Sequence, residues 1–156
     1  MQITALMHAV QASNTGDAFA PGLSPVQWVG LAPYLLRREL HAGELLIRQG
    51  DVERAAYLVE QGNLQVFVSG ARRRSSPRVA VLRPGALVGE PSLFAAVPRA
   101  ANVEAMTPAV VWTLDPARLD AMCLRAPELA LAVLRSAGAV LVVRHRDNAA
   151  RGVPLA

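Results

Sequence analysis

A chain of 156 residues with 53% apolar and only 4% aromatic content is long enough to bury a core as one domain without disulfide or metal staples, and too apolar to be disordered. Its net charge of +4 rests on arginine alone, since the sequence contains no lysine. A nucleic-acid surface usually mixes the two along one face, so direct nucleic-acid binding is not expected. The single cysteine, Cys123, excludes an internal disulfide and fits a reducing cytosol. The N-terminus lacks the basic flank and apolar stretch of a signal peptide, and a cytoplasmic protein is expected.

Residues 1–22 have no sustained period beyond a short helical stretch from Ile3 to Ala12, and read as a tail or a partner-facing segment. Ser24-Pro25 then opens a helix, with serine as N-cap and proline at the first helical position, and the helix should end near Pro33. From Arg37 the pattern changes to short runs between turn signals at Gly43, Gly50-Asp51, Gly62-Asn63, Gly70 and Pro84-Gly85. The runs at 44–48, 56–60, 64–68 and 79–82 read as strands, with clear alternation in Leu64-Gln65-Val66-Phe67-Val68 and weaker alternation elsewhere. Residues 71–78, which include Arg72, Arg73, Arg74, Ser75 and Ser76, form a hairpin loop that reads as solvated or as a target for basophilic kinases. Two more strands follow, at Ala101–Ala105 and Val110–Leu114. Asp115-Pro116 caps a further helix, and a last one starts near Pro127 and reaches Asp147. Within it, the apolar stretch Leu129–Val143 is broken by Arg135 and Ser136 and is too short to cross a bilayer, so no membrane insertion is expected. Regular short strands flanked by helices predict an α+β fold: an antiparallel, jelly-roll-like β-roll with a very short helix near Pro91, an N-terminal helix and two C-terminal helices.

The segment GEPSLFAAVPRAA, residues 89–101, brackets eight uncharged residues with one acid, Glu90, and one base, Arg99. An unpaired buried charge costs several kcal/mol, so the two either pair with each other or await a ligand. Gly89 allows close approach of the backbone. Glu90-Pro91-Ser92 reads as the first turn of a short helix, whose free N–H groups at Ser92 and Leu93 would favour an anion. Arg99 would add a planar cation, and the carboxylate of Glu90 is a good acceptor for a ribose hydroxyl. Together these describe a pocket for a sugar phosphate. His8, His41 and His145 have no metal spacing, and Cys123 lacks a base, so neither a metal site nor a catalytic constellation is expected.

Gly89-Glu90-Pro91-Ser92-Leu93 followed by Pro98-Arg99-Ala100-Ala101 resembles the phosphate-binding cassette of cyclic nucleotide-binding domains. That family includes the bacterial catabolite activator, cyclic-nucleotide-gated channels and the regulatory subunits of cyclic-AMP-dependent protein kinase. The resemblance extends to residues 40–51 and to Tyr57–Gly62, and defines a domain over 23–147 with a C-terminal tail at 148–156. Too few residues follow the last helix for the DNA-binding domain of the family's transcription factors. The resemblance implies that Glu90 and the Gly89 backbone hold the ribose 2′-OH. Arg99 would take the cyclic phosphate with the N–H groups of Ser92 and Ala100, and Val88 and Ala101 are expected among the ligand-binding residues. By the family's spacing, Arg144 or His145 falls where base-contacting residues sit, so a guanidinium could stack on the purine. Many members have serine or threonine in place of Ala100, and a threonine there can bond the guanine 2-amino group. Cyclic AMP is therefore the expected ligand, ahead of cyclic GMP. The implied function is that of a regulatory domain without enzymatic activity, in which ligand closes the last helix over the roll. The alternative is a protein-interaction or dimerisation module that keeps the roll without the ligand. Leu129, Leu131, Val133, Leu134 and Val140–Val143 give the last helix more than one apolar face, and Ala137, Gly138 and Ala139 would permit close approach. A homodimer through this helix or a regulated partner is the expected second contact.

Overall fold

The computed structural model describes residues 2–69 and 78–151. The Arg72–Arg74 loop with Ser75 and Ser76, and residues 152–156 of the expected tail, lie outside the described residues. Among the described residues, eight strands form two antiparallel sheets. One is ordered β1 (Leu36–Leu40), β8 (Ala109–Leu114), β3 (Ala56–Gln61) and β6 (Leu87–Val88). The other is ordered β2 (Leu45–Ile47), β7 (Asn102–Ala105), β4 (Leu64–Phe67) and β5 (Arg78–Leu82). Helices α1 (Ile3–Ala12), α2 (Pro25–Leu31), α3 (Pro91–Phe94), α4 (Pro116–Arg125) and α5 (Pro127–Arg151) complete the expected α+β roll.

The two sheets face each other across one apolar cluster that includes Tyr57, Val59, Leu64, Val66, Val88, Val103 and Val111. A second cluster lies between the outer face of the first sheet and the helices, and joins Leu58, Trp112 and Leu114 to Trp28, Met122, Val133 and Ala137. Because successive side chains on a strand point to opposite faces, β3 and β8 are buried on both sides. This explains their weak alternation in sequence. β4 has one half-exposed face, with Leu64 and Val66 buried and Gln65 and Phe67 partly exposed, so its alternation survives. The local helix signals translate directly. Ser24 accepts from the Gln27 N–H within a capping box, and Asp115 accepts from the Arg118 N–H at 2.8 Å. The α2 helix ends in a 3-10 turn over Ala32–Tyr34.

Two expectations change. The segment expected as a tail or partner-facing piece is docked on its own domain from Ile3 to Phe19, because α1 buries Ile3, Leu6 and Val10 in the helix-side cluster together with Phe19. Those three positions, spaced three and four apart, make one helical face that finds a partner only after the sheet has formed. Gly85, at φ +91°, marks the contact: a Cβ there would collide with the Ala9 carbonyl and stand 2.8 Å from the Ser13 Cβ. At the other end α5 continues past Asp147 to Arg151, so the tail reading of 148–151 gives way to helix. No helix among the described residues is long and apolar enough to cross a membrane.

The burial of α1 is open to a direct measurement. Leu6→Ala removes a fully buried side chain and should lower unfolding free energy in urea by about 2–5 kcal/mol, as for core leucines generally. A detached tail would give no change.

Candidate functional site

The cassette begins where β6 ends. Val88 is fully buried, and Gly89 follows at φ +79°, a conformation that L side chains rarely adopt. A Cβ on Gly89 would lie 2.8 Å from an Arg99 guanidinium nitrogen and 3.0 Å from the Ala55 carbonyl. The glycine thus makes room for Arg99. The backbone of Arg99 is pinned by two hydrogen bonds to the Gly50-Asp51 turn, each 2.8 Å long. From there its side chain runs inward. Nη1 donates to the Gly89 carbonyl at 3.1 Å and to Ser92 Oγ at 3.0 Å, and Nη2 donates to the Ala55 carbonyl. Ser92 Oγ in turn donates to the Gly89 carbonyl at 2.8 Å.

Glu90 is fully buried, but its partner is not Arg99. Glu90 Oε2 accepts from Arg144 Nη1 at 2.9 Å, across 54 residues of sequence. Arg144 Nε donates in the other direction to Asp17 Oδ2 at 2.7 Å. Of the two fates expected for the bracketing charges, direct pairing does not occur. Arg99 is held by carbonyls and a hydroxyl, and Glu90 by the far helix. Two buried atoms of the site, Glu90 Oε1 and Arg99 Nε, have no hydrogen-bond partner among the described residues.

These positions perturb the charges. Burial pushes the Glu90 carboxyl above the ordinary range, with the Arg144 guanidinium pulling back. Burial also lowers Arg99, against the more distant pull of Tyr57, Glu53, Glu90 and Asp51. At Asp17 partial burial disfavours the charge, yet the Arg144 hydrogen bond and charge outweigh it and hold the carboxyl below its usual range.

Two features of the sequence reading are corrected. The N–H groups of Ser92 and Leu93 are not free: they donate to the Gly89 carbonyl at 3.3 Å and the Glu90 carbonyl at 3.0 Å. Glu90 already has helical angles, φ −61° and ψ −29°, so the turn starts one residue early and supplies these acceptors itself. The guanidinium of Arg144 is engaged by two carboxylates rather than turned out as a free stacking plane, while His145 is exposed. Ala100 is exposed and Ala101 buried beside the cassette. On α5, Ala137 packs into the core and Gly138 faces Phe94, so these two serve an internal contact, while Ala139 is exposed.

Two residues were missed. Arg54 Nε donates to the Ser92 carbonyl at 3.1 Å and steadies α3. Asp17 had a readable signal, because it is the only acid or arginine in the first 36 residues. A cavity of about 280 Å³ lies beside the site, lined among others by Ser13, Asp17, Val66, Leu82, Arg144 and Asn148.

Among the described residues, two four-stranded antiparallel sheets carry the buried Glu90 and Arg99 in one cassette between β6 and β7. The family model for the cyclic nucleotide-binding domain matches residues 37–126. The chain belongs to the cyclic nucleotide-binding domain family. It is 34% identical over 106 residues to a cAMP-dependent protein kinase regulatory subunit of Blastocladiella emersonii, which covers 68% of this chain and 26% of that protein. The chain therefore spans about a quarter of that relative's length. Among solved structures, a cyclic nucleotide-binding domain from Methylobacillus flagellatus superposes with a TM-score of 0.80 at 21% identity, covering 96% of this chain and 82% of the other. The catabolite activator protein of Thermus thermophilus superposes with a TM-score of 0.73 at 28% identity, over 85% and 60% of the two chains.

The charge state of Glu90 can be read through stability. Its folded pKa is raised, so its contribution is present below the unfolded pKa and lost as pH rises through the folded value. Glu90→Gln, neutral throughout, should therefore gain melting temperature relative to the native protein as pH rises from about 4.5 to about 8. A difference that is flat or grows toward acid would contradict a carboxylate disfavoured by burial.

Proposed function

We propose that this domain binds a cyclic nucleotide, cyclic AMP ahead of cyclic GMP, and acts as a cytoplasmic regulatory module without catalysis of its own. The observation that carries this reading is Arg99: a guanidinium only 7% exposed, whose partners are two carbonyls and a hydroxyl, with no carboxylate paired to it. A buried cation without a counter-ion is costly, and a cyclic phosphate would supply one negative charge and two oxygens in the plane of the fork. Glu90 Oε1, buried and without a partner, is suited to accept the ribose 2′-OH from the same ligand. Gly89, Ser92, Ala100 and Ala101 shape the phosphate end, and the purine takes the neighbouring cavity between the roll and α5. On α5, Leu131 and Val142 remain exposed and lie eleven residues apart, about three turns, on one face. That face is where a regulated partner or a second copy would dock.

Calorimetry with cyclic AMP tests the reading. Arg99→Ala should weaken binding by about 100- to 3000-fold, as for breaking a buried charge pair worth about 3–5 kcal/mol, and Arg99→Lys should restore part of it. Binding by Arg99→Ala at native strength would sink the phosphate assignment.

Base preference has its own handle. Ala100 offers no hydroxyl to a guanine, and one side-chain hydrogen bond is worth about 0.5–1.5 kcal/mol net. Ala100→Thr should therefore tighten cyclic GMP by about 3- to 10-fold and leave cyclic AMP nearly unchanged. A variant with no gain for cyclic GMP removes Ala100 from the specificity argument.

A further inference from the structure

Arg144 stands between the cavity and the cassette. It lines the cavity, whereas neither Glu90 nor Arg99 does, and its Nη1 rests on Glu90 at 2.9 Å. Its other side is held by Asp17 at 2.7 Å, from a segment that also lines the cavity through Ser13, Thr15 and Gly16. That segment is tied to α5 a second time, where the Ala20 N–H donates to Ser136 Oγ at 2.8 Å. Upstream it continues into α1, docked through Ile3, Leu6 and Val10. Both Asp17 and Arg144 fall outside the span matched by the family model, residues 37–126.

A single ligand that fills the cavity and also reaches Glu90 has to pass through the space that the Arg144 side chain occupies. We propose that Asp17 is an affinity-setting residue: it holds Arg144 on Glu90, and the chain Asp17–Arg144–Glu90 is a latch that the nucleotide must open. This rests on the cyclic-nucleotide reading above and adds to it a role for the N-terminal segment. The ligand's hydroxyl would take Glu90 Oε1 while Arg144 takes Oε2, so the two compete for the space beside the carboxylate rather than for one oxygen, and each weakens the other's hold. Asp17 favours only the latched arrangement, and its strength subtracts from the observed affinity by the fraction of molecules left open. Because Asp17 lies on the segment that follows α1, opening the latch also loosens the attachment of residues 13–20 to α5. Binding at the cassette is thereby transmitted to the N-terminal helix.

The test is cyclic AMP calorimetry on the full chain with Asp17→Asn and Asp17→Glu. Asp17 is partly exposed, so the charge removed is worth at most about one decade in affinity. Asp17→Asn should bind about 3- to 10-fold tighter than the native protein. Asp17→Glu, which keeps the charge, should stay close to native. Equal or weaker binding by Asp17→Asn overturns the latch while leaving the nucleotide reading intact. A native protein that binds no cyclic AMP overturns the reading itself, and the latch with it. Hydrogen exchange on the native chain gives a second readout that needs no variant: amides of residues 3–18 should exchange faster when cyclic AMP is saturating. Unchanged or slower exchange there, with the cassette around Glu90 protected, overturns the latch.

Discussion

A carboxylate with no solvent exposure is the constraint around which both ends of this chain are arranged. Left alone, Glu90 would cost several kcal/mol, a large part of what holds a domain of this size together. Arg144 offsets that cost from the far end of α5, and Asp17 balances Arg144 from the segment before α2. Three residues spread over 127 positions thus form one chain of charge. The long helix and the N-terminal segment are fixed to the cassette by electrostatics as well as by the apolar cluster around Trp28, Met122 and Val133.

The second polar feature is solved differently. Arg99 is not neutralised by any acid in contact. Its charge is spread over the Gly89 and Ala55 carbonyls and the Ser92 hydroxyl. This works only because Gly89 takes a left-handed conformation and lacks a Cβ, and because the Gly50-Asp51 turn fixes the Arg99 backbone. Carbonyl dipoles hold a guanidinium in place without cancelling its net charge. Arg99 is therefore held in place without a paired counter-ion, an arrangement in keeping with the anion proposed for it.

What could be read in the sequence was local. Ser24-Pro25 and Asp115-Pro116 announced helix starts because a cap depends on the three or four residues around it. Alternation revealed β4, which keeps one partly exposed face, and blurred in β3, which is covered on both. The two residues of β6 carried too little pattern to be seen, and β1 shows only Leu40 buried. The residue types of the cassette were legible, since few packed segments place Glu90 and Arg99 among apolar neighbours. Their pairing was not. Glu90 meets Arg144 across 54 positions, and Asp17 meets it across 127, distances over which sequence spacing says nothing. The docking of α1 was hidden for the same reason: Ile3, Leu6 and Val10 make a helical face whose cover exists only after β3 and the Gly85 turn are in place.

The distribution of these features bears on how a domain of this kind could pass on a signal. The matched family core, residues 37–126, contains the cassette and the roll, where Arg99 is held by the Gly89 and Ala55 carbonyls and the Ser92 hydroxyl. The elements beyond that core, residues 3–20 and the distal half of α5, meet the site through a few side-chain contacts: Asp17, Arg144 and the Ser136–Ala20 bond. A side-chain ion pair can exchange partners while the sheet register and the left-handed turn stay in place, so the cost of change is confined to the pairing itself. On the latch proposed above, free energy delivered at Glu90 would pass first along the Arg144 path, toward the N-terminal segment and α5.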